Sequence, residues 1–193
     1  MAVLAFSFRD SQASCLADWE LLYGRQQGRY YGGITGGFAS FGIGEEQISF
    51  VNYFADTREE ARRKIQSADI LYFPGGLPDR MMDRIREFGL EEPILSHKGI
   101  VMGYSAGALI QLAEYHLSPD EDYPEFQYAR GLPLLNDFYL EVHYESTELQ
   151  NAAIRRVLEE RKKPVYATEA MKGAILVENG TVRLLGNVKR YEP

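Results

Sequence analysis

The residues best suited to chemistry lie at 103–107, Gly-Tyr-Ser-Ala-Gly, a Gly-x-Ser-x-Gly pattern. An apolar run, GIVMGY at 99–104, precedes the serine, and a helix-like run, AGALIQLAEYH at 106–116, follows it. A strand that turns directly into a helix holds such a serine at a strained bend with its hydroxyl exposed. Bulky side chains would clash there, so Gly103 and Gly107 make room. Ser105 is therefore a candidate nucleophile at the carboxyl end of a strand, the edge where parallel α/β sheets bind ligands. A helix starting at Ala106 aims free N–H groups and its positive dipole end at the same spot. That makes the Ala106 amide a candidate oxyanion donor.

A serine hydroxyl needs a base to act as a nucleophile, and the chain has three histidines. His116 lies 11 residues along the expected helix, roughly 16 Å away at 1.5 Å per residue, out of reach of Ser105. His97 precedes the strand that leads to Ser105 and belongs near its opposite end. His143 closes the run FYLEVHY at 138–144. If that strand runs parallel to the serine's, His143 arrives at the same edge. A carboxylate should orient the imidazole. Glu169, after PVYAT at 164–168, is preferred, with Glu145 and Asp137 as competitors. PGG at 74–76 ends another apolar run, and Gly75 and Gly76 offer backbone N–H groups for a second oxyanion contact.

The elements that must position these groups alternate along the chain. Strands are expected at 2–8, 48–54, 69–76, 99–104, 138–144 and 164–168. A hairpin is expected over 174–186, turning at Asn179-Gly180. Helices are expected at 56–68, starting at Asp56 or Thr57, at 78–89 between a proline and a glycine, at 106–116, and at 146–163. The last carries an apolar stripe of Leu149, Ala152, Ala153, Val157 and Leu158. This alternation predicts an α/β fold, a three-layer sandwich around a mostly parallel central sheet with a C-terminal hairpin. It also predicts a single hydrolytic domain over 1–193. Residues 118–131, rich in prolines and acids, read as a long loop. The glycine-rich segment 32–44 reads as a helix with a flat glycine face packed on the sheet, or as a loop. A phosphate-cradling loop is disfavoured because no Lys-Ser/Thr pair follows.

Net charge is −7 over 193 residues. That balance disfavours nucleic acid and anionic membrane surfaces as partners. Cys15 is the sole cysteine, so no intrachain disulfide can form and a reducing, cytoplasmic setting is expected. MAVLAFSF lacks a basic leader and is not read as a signal peptide, and no apolar run is long enough to span a bilayer.

Four pieces together resemble the serine peptidases that include aspartyl dipeptidase (dipeptidase E) and cyanophycinase, whose fold is like that of the class I glutamine amidotransferases. The pieces are ADILYFPGG, GIVMGYSAGALI, ARGLPLLNDFYLEVHYE and VYATEA with GAILVENGTVRLLG, spanning about residues 40–186. The resemblance implies Ser105 as nucleophile, His143 as base, and Gly76 and Ala106 as oxyanion donors, with no metal and no cofactor. It implies a serine, histidine, acid order along the chain. An ungapped match of GAILVENG places Met171 at the acidic position, and a two-residue insertion restores Glu169. Aspartyl substrates would call for a basic side chain, for which Arg80 and Arg130 are candidates. The expected function is a serine peptidase cleaving peptide or isopeptide bonds of a small peptide, aspartyl dipeptides among them, and a homodimer is compatible with it. The alternatives are a non-catalytic amidotransferase-like binding module and a small-ester esterase.

Overall fold

Local chemistry sets most element boundaries in the computed structural model, which describes residues 15–17 and 27–193. The strand expected at 2–8 lies outside the described residues. The chain divides into two compact units, one ending at Met102 and the other running from Gly103 to Pro193.

In the first unit, β1 (Cys15–Ala17) lies between β2 (Ile48–Phe50) and β3 (Ile70–Phe73), parallel to both. β4 (Ile100–Gly103) completes the four-stranded order β2-β1-β3-β4. β1 falls in a stretch with no clear period and was not legible as a strand. Helix α1 (Gln27–Ala39) carries the glycine-rich stretch. Among the described residues, a Cβ added at Gly32, Gly33, Gly36 or Gly37 would meet nothing within 4 Å, so the glycine face is not closely packed on any of them. Helix α2 (Arg58–Ser67) begins at Thr57, whose hydroxyl accepts from the Glu60 amide while Glu60 reaches back to the Thr57 N–H. Helix α3 (Pro78–Phe88) opens on proline and closes on Gly89 at φ 66, as the sequence predicts. A short α4 (Glu91–Leu95) follows. The apolar faces of these elements, including Ile65, Leu71, Met81, Met82, Ile85 and Ile94, form the core of this unit.

The second unit opens with α5 (Ala106–Leu109), far shorter than the helix expected at 106–116. Tertiary partners capture the backbone beyond it. The carbonyls of Ile110, Gln111 and Ala113 accept from the amides of Leu132, Leu135 and Gly131 in place of helical partners. The chain then forms β5 (Glu114–Leu117), antiparallel to β6 (Gln127–Arg130), so the expected loop at 118–131 is a strand pair with a shorter excursion. β7 (Tyr139–Glu141) pairs parallel with β8 (Val165–Glu178), and β8 pairs antiparallel with β9 (Thr181–Tyr191). The hairpin turns where predicted, at Asn179 (φ 51) and Gly180 (φ 76). Both take the left-handed conformation that a tight two-residue turn needs. The β8–β9 register breaks between Thr168 and Gly173.

Helix α6 (Glu148–Arg161) is capped by Thr147, whose hydroxyl accepts from the Gln150 amide. Its buried side is Ala153, Ile154 and Val157 with Leu158 packed beside them, so the expected stripe holds at Ala153, Val157 and Leu158, while Ala152 and Leu149 (59 % exposed) face outward. Ile154 and Val157 pack with Tyr139, Tyr144, Val165 and Ala167. The strands described thus make a mixed α/β structure in three small sheets, of four, two and three strands.

Candidate active site

β4 ends two residues before Ser105, and α5 begins one residue after it. The serine itself takes φ 51 and ψ −116, a conformation that L-residues rarely adopt. The turn closes through its own carbonyls. Gly107 N–H donates to Tyr104 O at 2.9 Å, and the Ala108 and Leu109 amides donate to Ser105 O at 2.9 and 3.1 Å. The Ala106 amide precedes these, and no carbonyl of the turn takes it among the described residues. Gly103 is required by close approach: a Cβ there would lie 2.2 Å from Gly107 O and 2.2 Å from Gln111 Nε2. Gln111 is buried and donates from Nε2 to Gly107 O at 2.9 Å, fixing the elbow from below.

His143 leaves β7 and meets the elbow, its Nε2 2.6 Å from Ser105 Oγ. The ring is partly buried and packs edge-on against Tyr104, with centroids 5.8 Å apart. Burial holds the imidazole pKa below an ordinary histidine's, while the negative charges of Glu145 and Glu141 pull it upward. The net effect is a ring that is neutral, and so able to accept a proton, at neutral pH. Ser105 and His143 are thus one hydrogen bond apart, the arrangement a base-activated serine requires.

The other residues singled out from the sequence fall in varied places. Glu169 sits on the irregular part of β8 and is engaged by Lys172 and, at 2.7 Å, by Asn187 Nδ2, contacts that hold its carboxyl below the usual range. Met171, in the same bulge, is 73 % exposed at φ 59. Glu145 is exposed two residues beyond His143, and Asp137 is exposed just before β7. Arg130 ends β6, opposite Glu114. In the first unit Gly75 and Gly76 follow β3, with Gly76 at φ 136, and Arg80 is an exposed residue of α3.

His116 is excluded as a base for a different reason from the one its expected helix suggested. It lies on β5, 2 % exposed, with Nε2 2.8 Å from Glu141 Oε2 and its ring stacked on Phe126. Ser118 Oγ donates to the same Glu141 oxygen at 2.6 Å. His97 lies in the turn before β4, and burial lowers its pKa. Sequence reasoning missed Gln111 and Gln150, the two amides that brace the elbow and the His143 turn. No motif flags a lone glutamine. Among the described residues no cluster of three or more His, Cys, Asp or Glu side chains could hold a metal ion, and no helix is long and apolar enough to cross a membrane.

The model of peptidase family S51 matches residues 26–185, well over half the chain and including the elbow and His143. The chain belongs to peptidase family S51. It is a serine-type peptidase. Solved structures agree in fold with this member of the family. A Listeria monocytogenes EGD-e protein named for peptidase E superposes with a TM-score of 0.68 at 17 % identity, over 93 % of this chain and 90 % of that one. A peptidase from an acI-B1 Actinobacterium gives a TM-score of 0.57 at 15 % identity, over 92 % of this chain and 80 % of that one. A search of curated proteins finds no match.

Proposed function

We propose that Ser105 is the nucleophile and His143 the general base of a peptidase that cleaves small peptides, aspartyl dipeptides among them. The observation that carries this reading is the 2.6 Å contact between Ser105 Oγ and His143 Nε2 at a serine held in the left-handed region. In the reaction, His143 Nε2 takes the hydroxyl proton as Oγ attacks the carbonyl carbon of the scissile bond. Charge collects on the carbonyl oxygen, where the Ala106 N–H can donate, and the resemblance adds the Gly76 N–H as a second donor. His143 then gives its proton to the departing amine. Water, deprotonated by the same ring, releases the acyl group and restores the serine.

Glu169 enters from the resemblance as the acid that orients His143. Its present partners are Lys172 and Asn187, whereas Glu145 is the carboxylate acting most strongly on the imidazole charge, which favours Glu145 as the competing third member. The finer fold assignment, a three-layer arrangement around a mostly parallel sheet like that of the class I glutamine amidotransferases, belongs to the same reading, and the parallel pairings β2-β1-β3 in one unit and β7-β8 in the other are in keeping with it. Arg130 and Arg80 remain the candidates for the aspartyl carboxylate. A cytoplasmic setting and a homodimer belong to the same reading.

A fluorophosphonate probe tests the core of the proposal. Wild type should label and Ser105→Ala and His143→Ala should not; an unlabelled wild type overturns it. Among labelling-competent proteins, Glu169→Gln and Glu145→Gln identify the orienting acid by which one slows the reaction. Hydrolysis of an Asp-X dipeptide panel in preference to simple esters supports the substrate class, and the reverse preference refutes it.

A further inference from the structure

The turn that delivers His143 is not a conformation its residues prefer. His143 and Ser146 sit at φ 52 and φ 62, two non-glycine residues in the left-handed region within four positions. Something must hold them there. The contacts around the turn converge on one side chain from the first turn of α6. Gln150 Nε2 donates to His143 O at 3.0 Å, and its Oε1 accepts from Glu145 N–H at 2.9 Å. The glutamine therefore bridges the backbone on both sides of Tyr144. Its own amide is fixed by the Thr147 cap at 3.2 Å, so the bridging side chain springs from an anchored position. Neighbouring bonds secure the rest of the turn. Tyr144 N–H donates to Thr168 O at 2.9 Å, Tyr144 OH donates to Asn151 Oδ1 at 2.7 Å, and Asn151 Nδ2 donates to Ser146 O at 3.1 Å. None of these other bonds touches His143 itself.

We infer that Gln150 is a positioning residue for the base: by clamping the His143 carbonyl and the Glu145 amide it holds His143 in the left-handed conformation that places Nε2 on Ser105 Oγ. This rests on the proposed roles of Ser105 and His143. A carboxamide suits the task because it supplies one donor and one acceptor from the same planar group. Gln150→Glu keeps the acceptor but sets a carboxylate against the His143 carbonyl, so it should fail as Gln150→Ala does.

Two readouts separate positioning from mere support of the helix. The first is fluorophosphonate labelling resolved into kinact and KI. Gln150→Ala and Gln150→Glu should lower kinact by roughly 10- to 100-fold, the scale of an ångström-level misplacement, with KI within about twofold of wild type. Val157→Ala, cut into the buried side of the same helix (Val157 is 0 % exposed), is the control for stability. It should lower the melting temperature at least as much as Gln150→Ala yet label at the wild-type rate. The second is the carbon–proton NMR spectrum of the histidine rings, with the His143 signal assigned by its loss in His143→Ala. That signal should move in both Gln150 variants and stay in Val157→Ala. The inference is overturned if Gln150→Ala labels within about twofold of wild type, if Val157→Ala loses labelling equally, or if the His143 signal does not move. If wild type itself fails to label, the roles of Ser105 and His143 fall, and the spectrum alone still decides whether Gln150 holds the ring.

Discussion

Replacing Ser105 by glycine should give an inactive protein that is more stable than Ser105→Ala. The elbow holds Ser105 at φ 51 and ψ −116. For a residue with a Cβ, such a conformation costs on the order of 1–3 kcal/mol, and alanine inherits that cost in full. Glycine enters the region freely but loses more chain entropy on folding, about 0.5–1 kcal/mol relative to alanine. Both variants lose the 2.6 Å hydrogen bond to His143, so that loss cancels between them. The difference left is up to about 2.5 kcal/mol in favour of glycine. Urea titrations followed by circular dichroism would read it as a higher midpoint at unchanged slope. In thermal melts the gap corresponds to up to roughly 10 °C at this chain length. If Ser105→Ala proves more stable than Ser105→Gly, the serine is not held against its preference, and the elbow argument fails with it.

Gly103→Ala puts a methyl group 2.2 Å from Gly107 O, a backbone atom that cannot swing aside; the same urea titration should show a loss of about 1–3 kcal/mol, together with slower probe labelling. His116→Ala strips the buried Glu141 carboxyl, 4 % exposed, of its 2.8 Å partner and leaves it Ser118 alone among the described residues; a destabilisation of about 3 kcal/mol is expected, and one below about 1 kcal/mol would show that the pair is not a structural anchor. The labelling rate should rise with pH as His143 loses its proton. Because burial lowers that pKa, the midpoint should fall below the ordinary histidine value near 6.5 and the rate should be level by neutral pH; a midpoint above it would contradict the burial seen here.

Local pattern alone determined the elbow, the helix starts and the hairpin. Gly103, Ser105 and Gly107 announce a sharp strand-to-helix bend because few other residue types fit one, Asp56 or Thr57 ahead of acidic residues marks a helix start, and Asn179-Gly180 marks a two-residue turn. Each is a short-range steric or hydrogen-bonding demand, written within a handful of neighbouring residues. The sequence also singled out His143 from three histidines, though its reason for rejecting His116 rested on a helix that does not continue past Leu109. What ended that helix was competition from a distant segment, Gly131 to Leu135, whose amides took the carbonyls that α-helical bonding would have used. The same long-range pairing made strands of β5 and β6, where the sequence shows only a tyrosine-rich, acidic stretch. Likewise, only the tertiary structure could bring Gln150 onto the His143 carbonyl and enclose Glu141 between His116 and Ser118. Those contacts join residues 7 to 25 positions apart, and their partners are ordinary polar side chains. Nothing in the type of a glutamine or a glutamate tells which backbone group it will meet; the packing of one element on another makes that choice.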